Sequence, residues 1–392
     1  MLFSTTAGTG HFGPMVPIAA ACADAGHVVA VAAPASFAGS VLKAGLTHLP
    51  LPDAPADLMG AVYSRLPSLP RKKANRLVIT EVFGRLSAQT SLPPLLDLLR
   101  DWRPDVVIRE PAEFAALVAA AKLDRPQVQV AIDLGGFIPT VADWLEEPIR
   151  ELERMAGLAE IRGSQRLRAT STLSSVPAAL DHPRAAHDRR GNGKTRVWRY
   201  RTDGAPSGPS LPGEWGDPTA PLVYVSFGSV TGSLGRFDAL YPAVLEVLAD
   251  VPVRVLVTTG NGYDPARLHP LPGNVWAEQW WPQAAVMGET ALMIGHGGFG
   301  TTMTAVAAGV PQLVLPLFSV DQFQNAGRVE SVGIGAQLLG GLDALPDVPR
   351  LVEELLGHPR YLEAARRVAK EMADLPDVTT MVAVLQRLTV AT

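Results

Sequence analysis

The sequence predicts an α/β protein made of two doubly wound domains that face each other across a cleft, and three observations carry that prediction. Short apolar runs alternate with longer helical patterns, the signature of βαβ units and parallel sheets. The alternation runs through twice, on either side of one stretch without periodicity. Glycine-rich turns fall at the ends of predicted strands, where open parallel sheets take their ligands. At 392 residues the chain has room for two or three domains of roughly 150 residues each.

In the first half, Leu2–Thr6 reads as a strand, Pro14–Ala25 as a helix and Val28–Ala33 as the next strand. Asp105–Glu110 and Gln127–Ile132 are further strands, with a helix over Ala112–Ala121 between them. Asn75–Trp102 has a helical pattern that Pro93-Pro94 is expected to break or kink. Between Arg201 and Pro221 the chain turns to Gly, Pro, Ser and Asp, which marks 201–220 as a linker. Strands then return at Leu222–Phe227, Arg254–Thr258, Asn274–Gln279, Leu292–Gly295 and Gln312–Leu317. Helices fall at Arg236–Leu248, Thr301–Ala308, Gln322–Ser331, Val348–Leu356 and Arg360–Ala373. The expected organisation is a first domain over 1–200, a second over 221–375, and a tail over 376–392 that could pack back on the first. No repeat of 20–50 residues is visible.

Composition removes several classes of function. The hydrophobic fraction is 47% and the charged fraction 18%, ordinary for a globular protein. Net charge is −4 with no long run of Lys or Arg, so the basic footprint of a nucleic-acid binder is missing. Cys22 is the only cysteine, which rules out an intramolecular disulfide, and its alanine-rich helical context suits buried filler. The opening Met1-Leu2-Phe3-Ser4-Thr5-Thr6 lacks the basic segment of a signal peptide, and no apolar stretch reaches the ~20 residues of a membrane span. A cytoplasmic protein without membrane association is the expectation.

Gly8-Thr9-Gly10-His11-Phe12-Gly13 fits G-x-G-x-x-G between a strand and a helix, the pattern of an NAD-type oxidoreductase. That reading needs an acid roughly 20 positions on, at the end of the second strand, to hold ribose hydroxyls. The strand instead ends Ala33-Pro34-Ala35-Ser36. Glycines still let backbone pass close to a ligand, and His11 lies among them at the mouth of a strand. A His there either caps and packs or works as an acid–base group.

Four features fall in order at strand ends of the second half. Ser226-Phe227-Gly228-Ser229 is a strand running into a small-residue turn suited to phosphate oxygens. Trp280-Trp281-Pro282-Gln283 offers an indole face for a nucleobase and an amide for its edge. His296-Gly297-Gly298-Phe299-Gly300-Thr301-Thr302 is a glycine turn into a helix start, whose free N–H groups and dipole favour a diphosphate. Asp321-Gln322, after Pro316-Leu317-Phe318, pairs a carboxylate with an amide, as hexose hydroxyls require. Singly, these could be a turn, a core tryptophan, a tight bend and a helix cap.

Together with the run Ala308-Gly309-Val310-Pro311 and Asp321-Gln322-Phe323-Gln324-Asn325-Ala326, these residues resemble the donor-binding signature of family 1-like nucleotide-sugar glycosyltransferases with the GT-B fold, two Rossmann-like domains. More narrowly they are similar to the inverting actinobacterial natural-product branch, the calicheamicin and anthracycline type. The resemblance covers nearly the whole chain and is weak over about 50–100 and 135–200. It implies that the first domain binds the acceptor, with Gly10, Phe12 and Gly13 in the acceptor loop. It also implies that His11 is the general base, oriented by Glu110 where Asp is commoner. The second domain is implied to hold the donor through Ser229, Trp280, Gln283, His296, Gly297, Gly298, Gly300, Thr301, Asp321 and Gln322.

Related plant enzymes carry a ribose-binding Glu eight residues after the motif His; here that place is Thr304, which favours a dTDP-sugar over a UDP-sugar. No D-x-D occurs, so a metal-bridged diphosphate is not expected, nor any cofactor beyond the donor itself. The implied partners are a nucleotide-sugar and a small aglycone such as a polyketide, enediyne or macrolide, with a homodimer left open. The competing readings are the oxidoreductase and a nucleotide-sugar-binding partner protein that has lost catalysis.

Overall fold

A computed structural model describes residues 1–183, 195–202 and 209–390. The chain divides into two compact units. Unit 1 comprises Met1–Val176, Asp181–Thr202 and Leu375–Thr392; unit 2 comprises Pro177–Leu180 and Asp203–Asp374. Among the described residues no helix is long and apolar enough to cross a membrane.

Unit 1 is built on a seven-stranded, wholly parallel sheet of β1 (Leu2–Ser4), β2 (Ala30–Pro34), β3 (Thr47–Leu51), β4 (Val107–Arg109), β5 (Gln127–Val130), β6 (Thr172–Ser174) and β7 (Val197–Arg199), in the order β3-β2-β1-β4-β5-β6-β7. Phe3 of β1 stands in register with Val31 on one side and Ile108 on the other. Helices cover both faces, so the inner strands are buried on both sides: Leu2-Phe3 and Ala30–Ala33 are apolar throughout, while Arg109, Gln129 and Thr172 are polar residues buried in the strands beyond them. One face packs Phe3, Ile18, Cys22, Val31 and Ile108 against Met381, Val382, Val384 and Leu385 of the helix Thr380–Val390. The tail residues thus share the core of unit 1, and Gln386 reaches His27 at 3.1 Å. Burial pushes the Cys22 thiol up to about 11, which leaves it an inert packing group.

Unit 2 repeats the plan with β8 (Leu222–Ser226), β9 (Arg254–Thr258), β10 (Val275–Glu278), β11 (Thr290–Gly295), β12 (Gln312–Val314) and β13 (Gly335–Gln337), all parallel in the order β10-β9-β8-β11-β12-β13. Val223, Val225, Val255, Val257, Leu292 and Ile294 supply the core of one face, with Leu240, Val244 and Leu248 of the helix Leu240–Leu248 packed on them. Both sheets reverse strand order once, between β1 and β4 and between β8 and β11. Such switch points open a crevice at the carboxyl ends of the strands.

Three expectations need correcting. The helical stretch across Pro93-Pro94 does not break. It runs as α-helix over Arg71–Leu77, π-helix over Val78–Ser87 and α-helix over Ala88–Trp102 with both prolines inside. The irregularity lies upstream of the prolines. Burial of Leu92, Leu95, Leu96 and Leu99 offsets the cost of two missing donors. The linker expected over 201–220 is also shorter: Leu211 and Trp215 pack on the apolar cluster around Tyr224 and Leu256, and Trp215 Nε1 donates to the Asn274 carbonyl at 3.2 Å. Residues 203–208 of that linker lie outside the described residues. Finally, β3, β6, β7 and β13 were not foreseen, and three of them are edge strands.

Candidate active site

In unit 1 the switch point gathers three side chains. The chain leaves β1 through Thr5 and Thr6 and enters a short helical turn, Thr9–Phe12, that carries His11. Glu110 directly follows β4. The Glu110 carboxylate stands 3.2 Å from His11 Nδ1. Thr6 Oγ1 lies 3.1 Å from that same nitrogen and 3.0 Å from Glu110 Oε1, while the Ala112 N–H donates to Glu110 Oε2 at 2.6 Å. Glu110 is wholly buried. Burial alone would raise its pKa, but the His11 charge and the hydrogen bonds from His11, Ala112 and Thr6 outweigh it and hold the carboxyl below its ordinary value. The His11 ring stacks on Phe83 of the π-helix, centroids 5.6 Å apart at 17°.

His11 and Glu110 were both singled out in the sequence. Thr6 and Phe83 were not, because a hydroxyl at a strand end and an aromatic on a helix carry no distinctive spacing. Of the three expected acceptor-loop residues, Gly10 and Gly13 are exposed. Phe12 is not: it is buried and meets Phe37 edge-on at 5.7 Å, a core contact. As the largest apolar side chain of the turn, it gains most by packing inward.

In unit 2, Ser229 lies exposed on the short helix Gly228–Thr231 after β8, and His296 follows β11. The imidazole is gripped by two glycines. A Cβ on Gly228 would come within 2.7 Å of His296 Cε1, and one on Gly298 within 2.5 Å of Nε2, so neither position can carry a side chain unless the ring moves. Although an edge of the residue stays accessible, burial of the ring pushes its pKa down to about 4, and it is neutral at pH 7. Its Nδ1 is buried and has no hydrogen-bond partner among the described residues. Next to it the helix Phe299–Ala307 starts from Gly298 with no side-chain cap, leaving its first N–H groups for a ligand.

Asn325, wholly buried on the helix Val320–Val332, donates from Nδ2 to the Gly297 carbonyl at 2.7 Å. Trp280 is 72% exposed, a bare indole face, whereas Trp281 is turned inward and donates to the Ser210 carbonyl at 3.2 Å. Gly300 is exposed. Gln283 and Thr301 are engaged within the unit: Gln283 Nε2 donates to Thr301 Oγ1 at 3.2 Å and to Ser226 Oγ at 3.4 Å. Asp321 stands half-buried in the first turn of the Val320–Val332 helix. Gln322 departs from expectation. It is buried, and its side-chain Oε1 accepts from the Leu317 and Phe318 N–H groups at 2.9 and 3.0 Å, pinning the loop that leads into the helix start bearing Asp321. Among the described residues no three His, Cys, Asp or Glu side chains gather as a metal site.

Comparison with known proteins agrees with this architecture. The family described as erythromycin biosynthesis protein CIII-like matches its N-terminal domain over residues 20–146 and its C-terminal domain over 242–388. The L-demethylnoviosyl transferase of Streptomyces niveus is 30% identical over 392 residues, covering 96% of this chain and 94% of that protein. The TDP-daunosamine transferase of Streptomyces peucetius is 26% identical, over 97% and 94%. The crystal structure of the glycosyltransferase SnogD from Streptomyces nogalater superposes with a TM-score of 0.74 at 27% identity, over 99% and 98% of the two chains. With two parallel Rossmann-like sheets, a His–Glu pair at one switch point and a glycine-walled His at the other, this chain belongs to the GT-B natural-product glycosyltransferases, family 1-like.

Proposed function

We propose that this glycosyltransferase moves a deoxyhexose from a dTDP-sugar to a hydroxyl of a small natural-product aglycone, with inversion at the anomeric carbon. The observation that carries the reading is the anchoring of His11 Nδ1 by Glu110 at 3.2 Å. With Nδ1 held by a carboxylate, Nε2 is the nitrogen that takes the acceptor proton, and the buried carboxylate stabilises the imidazolium that forms. As the acceptor oxygen bonds to the anomeric carbon, the bond to the diphosphate breaks, and the nucleoside diphosphate leaves with its charge. That charge falls to the uncapped start of the Phe299–Ala307 helix and to neutral His296, without a metal. Trp280 stacks on the base, and Asp321 takes sugar hydroxyls.

The dTDP assignment rests on Thr304, whose hydroxyl donates to the Gly300 carbonyl of its own helix at 2.9 Å and leaves no carboxylate for a ribose 2′-hydroxyl. The name of the Streptomyces peucetius relative, a TDP-sugar transferase, points the same way. The test is turnover with matched dTDP- and UDP-sugars, followed by nucleotide release, in wild type and Thr304→Glu. The wild type should prefer the dTDP donor and the variant should narrow the gap, because a site with a hydroxyl partner discriminates against its absence. Equal kcat/KM for both donors, unchanged by the substitution, would remove the donor assignment.

A further inference from the structure

We propose that Asn325 is a positioning residue that locks the Gly297–Gly298 peptide so that its N–H, and not its carbonyl, is presented to the donor diphosphate. The inference rests on the donor reading above and adds a residue to it. A planar trans peptide points its C=O and the next N–H in opposite directions. Asn325 Nδ2 holds the Gly297 carbonyl at 2.7 Å from the side of the Val320–Val332 helix, so the Gly298 N–H faces away from that helix. Among the described residues that N–H has no partner, and Gly298 is the residue from which the Phe299–Ala307 helix starts.

A lock is needed because the peptide lies between two glycines. Gly297 sits at φ +83°, and neither residue has a Cβ to resist a rotation of the peptide plane. A rotated peptide would turn a carbonyl oxygen toward the phosphates and convert one attraction into a repulsion. Asn325 is wholly buried, so water does not compete for the bond. The backbone of the same helix guards the turn from behind: a Cβ on Gly297 would meet the Gln322 carbonyl at 2.8 Å.

The chemistry of the lock gives it a signature. Asn325→Ala removes it, while Asn325→Asp reverses it, since a carboxylate repels the Gly297 carbonyl and accepts the Gly298 N–H in the flipped peptide. Calorimetric titration of the full chain with dTDP and with thymidine reads both. A lost neutral hydrogen bond is worth about tenfold at most, so dTDP should bind several-fold more weakly to Asn325→Ala and more weakly still to Asn325→Asp. Thymidine affinity should stay within about twofold in both. Val329→Ala, which trims a buried residue of the same helix, controls for loss of packing, with melting temperatures measured for all three variants. The order wild type, Ala, Asp for dTDP alone supports the lock. Equal losses for dTDP and thymidine, or a dTDP loss in Val329→Ala matching that of Asn325→Ala, would overturn it. A wild type that binds no dTDP would overturn the donor reading and this inference with it, whereas a normal wild type weakened by His296→Ala but not by either Asn325 variant would overturn the inference alone.

Discussion

Glu110 shows how a wholly buried carboxylate can remain ionised. His11, Thr6 and the Ala112 N–H surround it, and a group whose folded pKa lies below its ordinary value adds stability above that value and loses it as pH falls through the folded one. The His11–Glu110 pair should therefore hold at neutral pH and fail in acid. His11→Ala should lower kcat by about 10²–10⁴, the usual worth of a general base, while leaving the affinity for free dTDP unchanged; retention of most of the activity would remove His11 from that role. His296→Ala and Trp280→Ala should do the opposite and weaken dTDP itself in the absence of acceptor, by more than about twofold each in an equilibrium titration. His11 and His296 were legible in the sequence because histidines stand at strand ends beside glycines, whereas Glu110 was reached only through the family resemblance. Thr6, Phe83 and Asn325 were not legible, since their roles exist only once distant segments meet: Asn325 is 28 residues from Gly297.

Among the elements, the helix Phe114–Lys122 begins from Glu113, whose Oε2 caps the Ala116 N–H at 2.7 Å. Burial lifts this carboxyl from 4.5 to about 7. Glu110 adds to the rise, and the Ala116 bond and Arg109 oppose it. Between those two values the folded chain keeps a proton that the unfolded chain has released, so stability falls as pH rises from about 4.5 to 7 and then levels. Glu113→Gln keeps the cap and removes the titration. It should stabilise the protein at pH 8 by up to about 3 kcal/mol and change little at pH 4.5, at 1.36 kcal/mol per pKa unit; urea unfolding at the two pH values checks this, and a gain independent of pH would contradict it. The same chemistry of burial decided which strands were readable. Inner strands such as Leu222–Ser226 are buried at every position and announce themselves as apolar runs. At the sheet edge, Thr47–Leu51 buries only its last residue and contains Pro50, which an edge tolerates and a central strand does not.

For the whole molecule, unit 2 is nearly one continuous stretch of chain, whereas unit 1 is closed by residues that follow unit 2 in sequence. Leu385 is wholly buried in the unit 1 core. Leu385→Ala should cost about 2–5 kcal/mol, read as a fall in melting temperature of several degrees. Deleting 375–392 should strip Met381, Val382, Val384 and Leu385 together and leave a chain that is poorly soluble; a truncated protein that melted with the wild type would refute the role of this segment. The doubling of the doubly wound plan was legible from the two rounds of strand–helix alternation. The intrusion of Pro177–Leu180 into unit 2 was not. It depends on Arg328 donating to the Ala179 and Leu180 carbonyls, a contact between segments about 150 residues apart. The late closing helix also sets a schedule for biosynthesis. On the ribosome the first sheet emerges early, then waits while about 170 residues of unit 2 are made, roughly ten to thirty seconds at 5–20 residues per second. Through that interval the nascent chain carries one open apolar face, so its dependence on holding chaperones should be greatest before the helix Thr380–Val390 emerges from the ribosome and fall once that helix has packed on the unit 1 sheet.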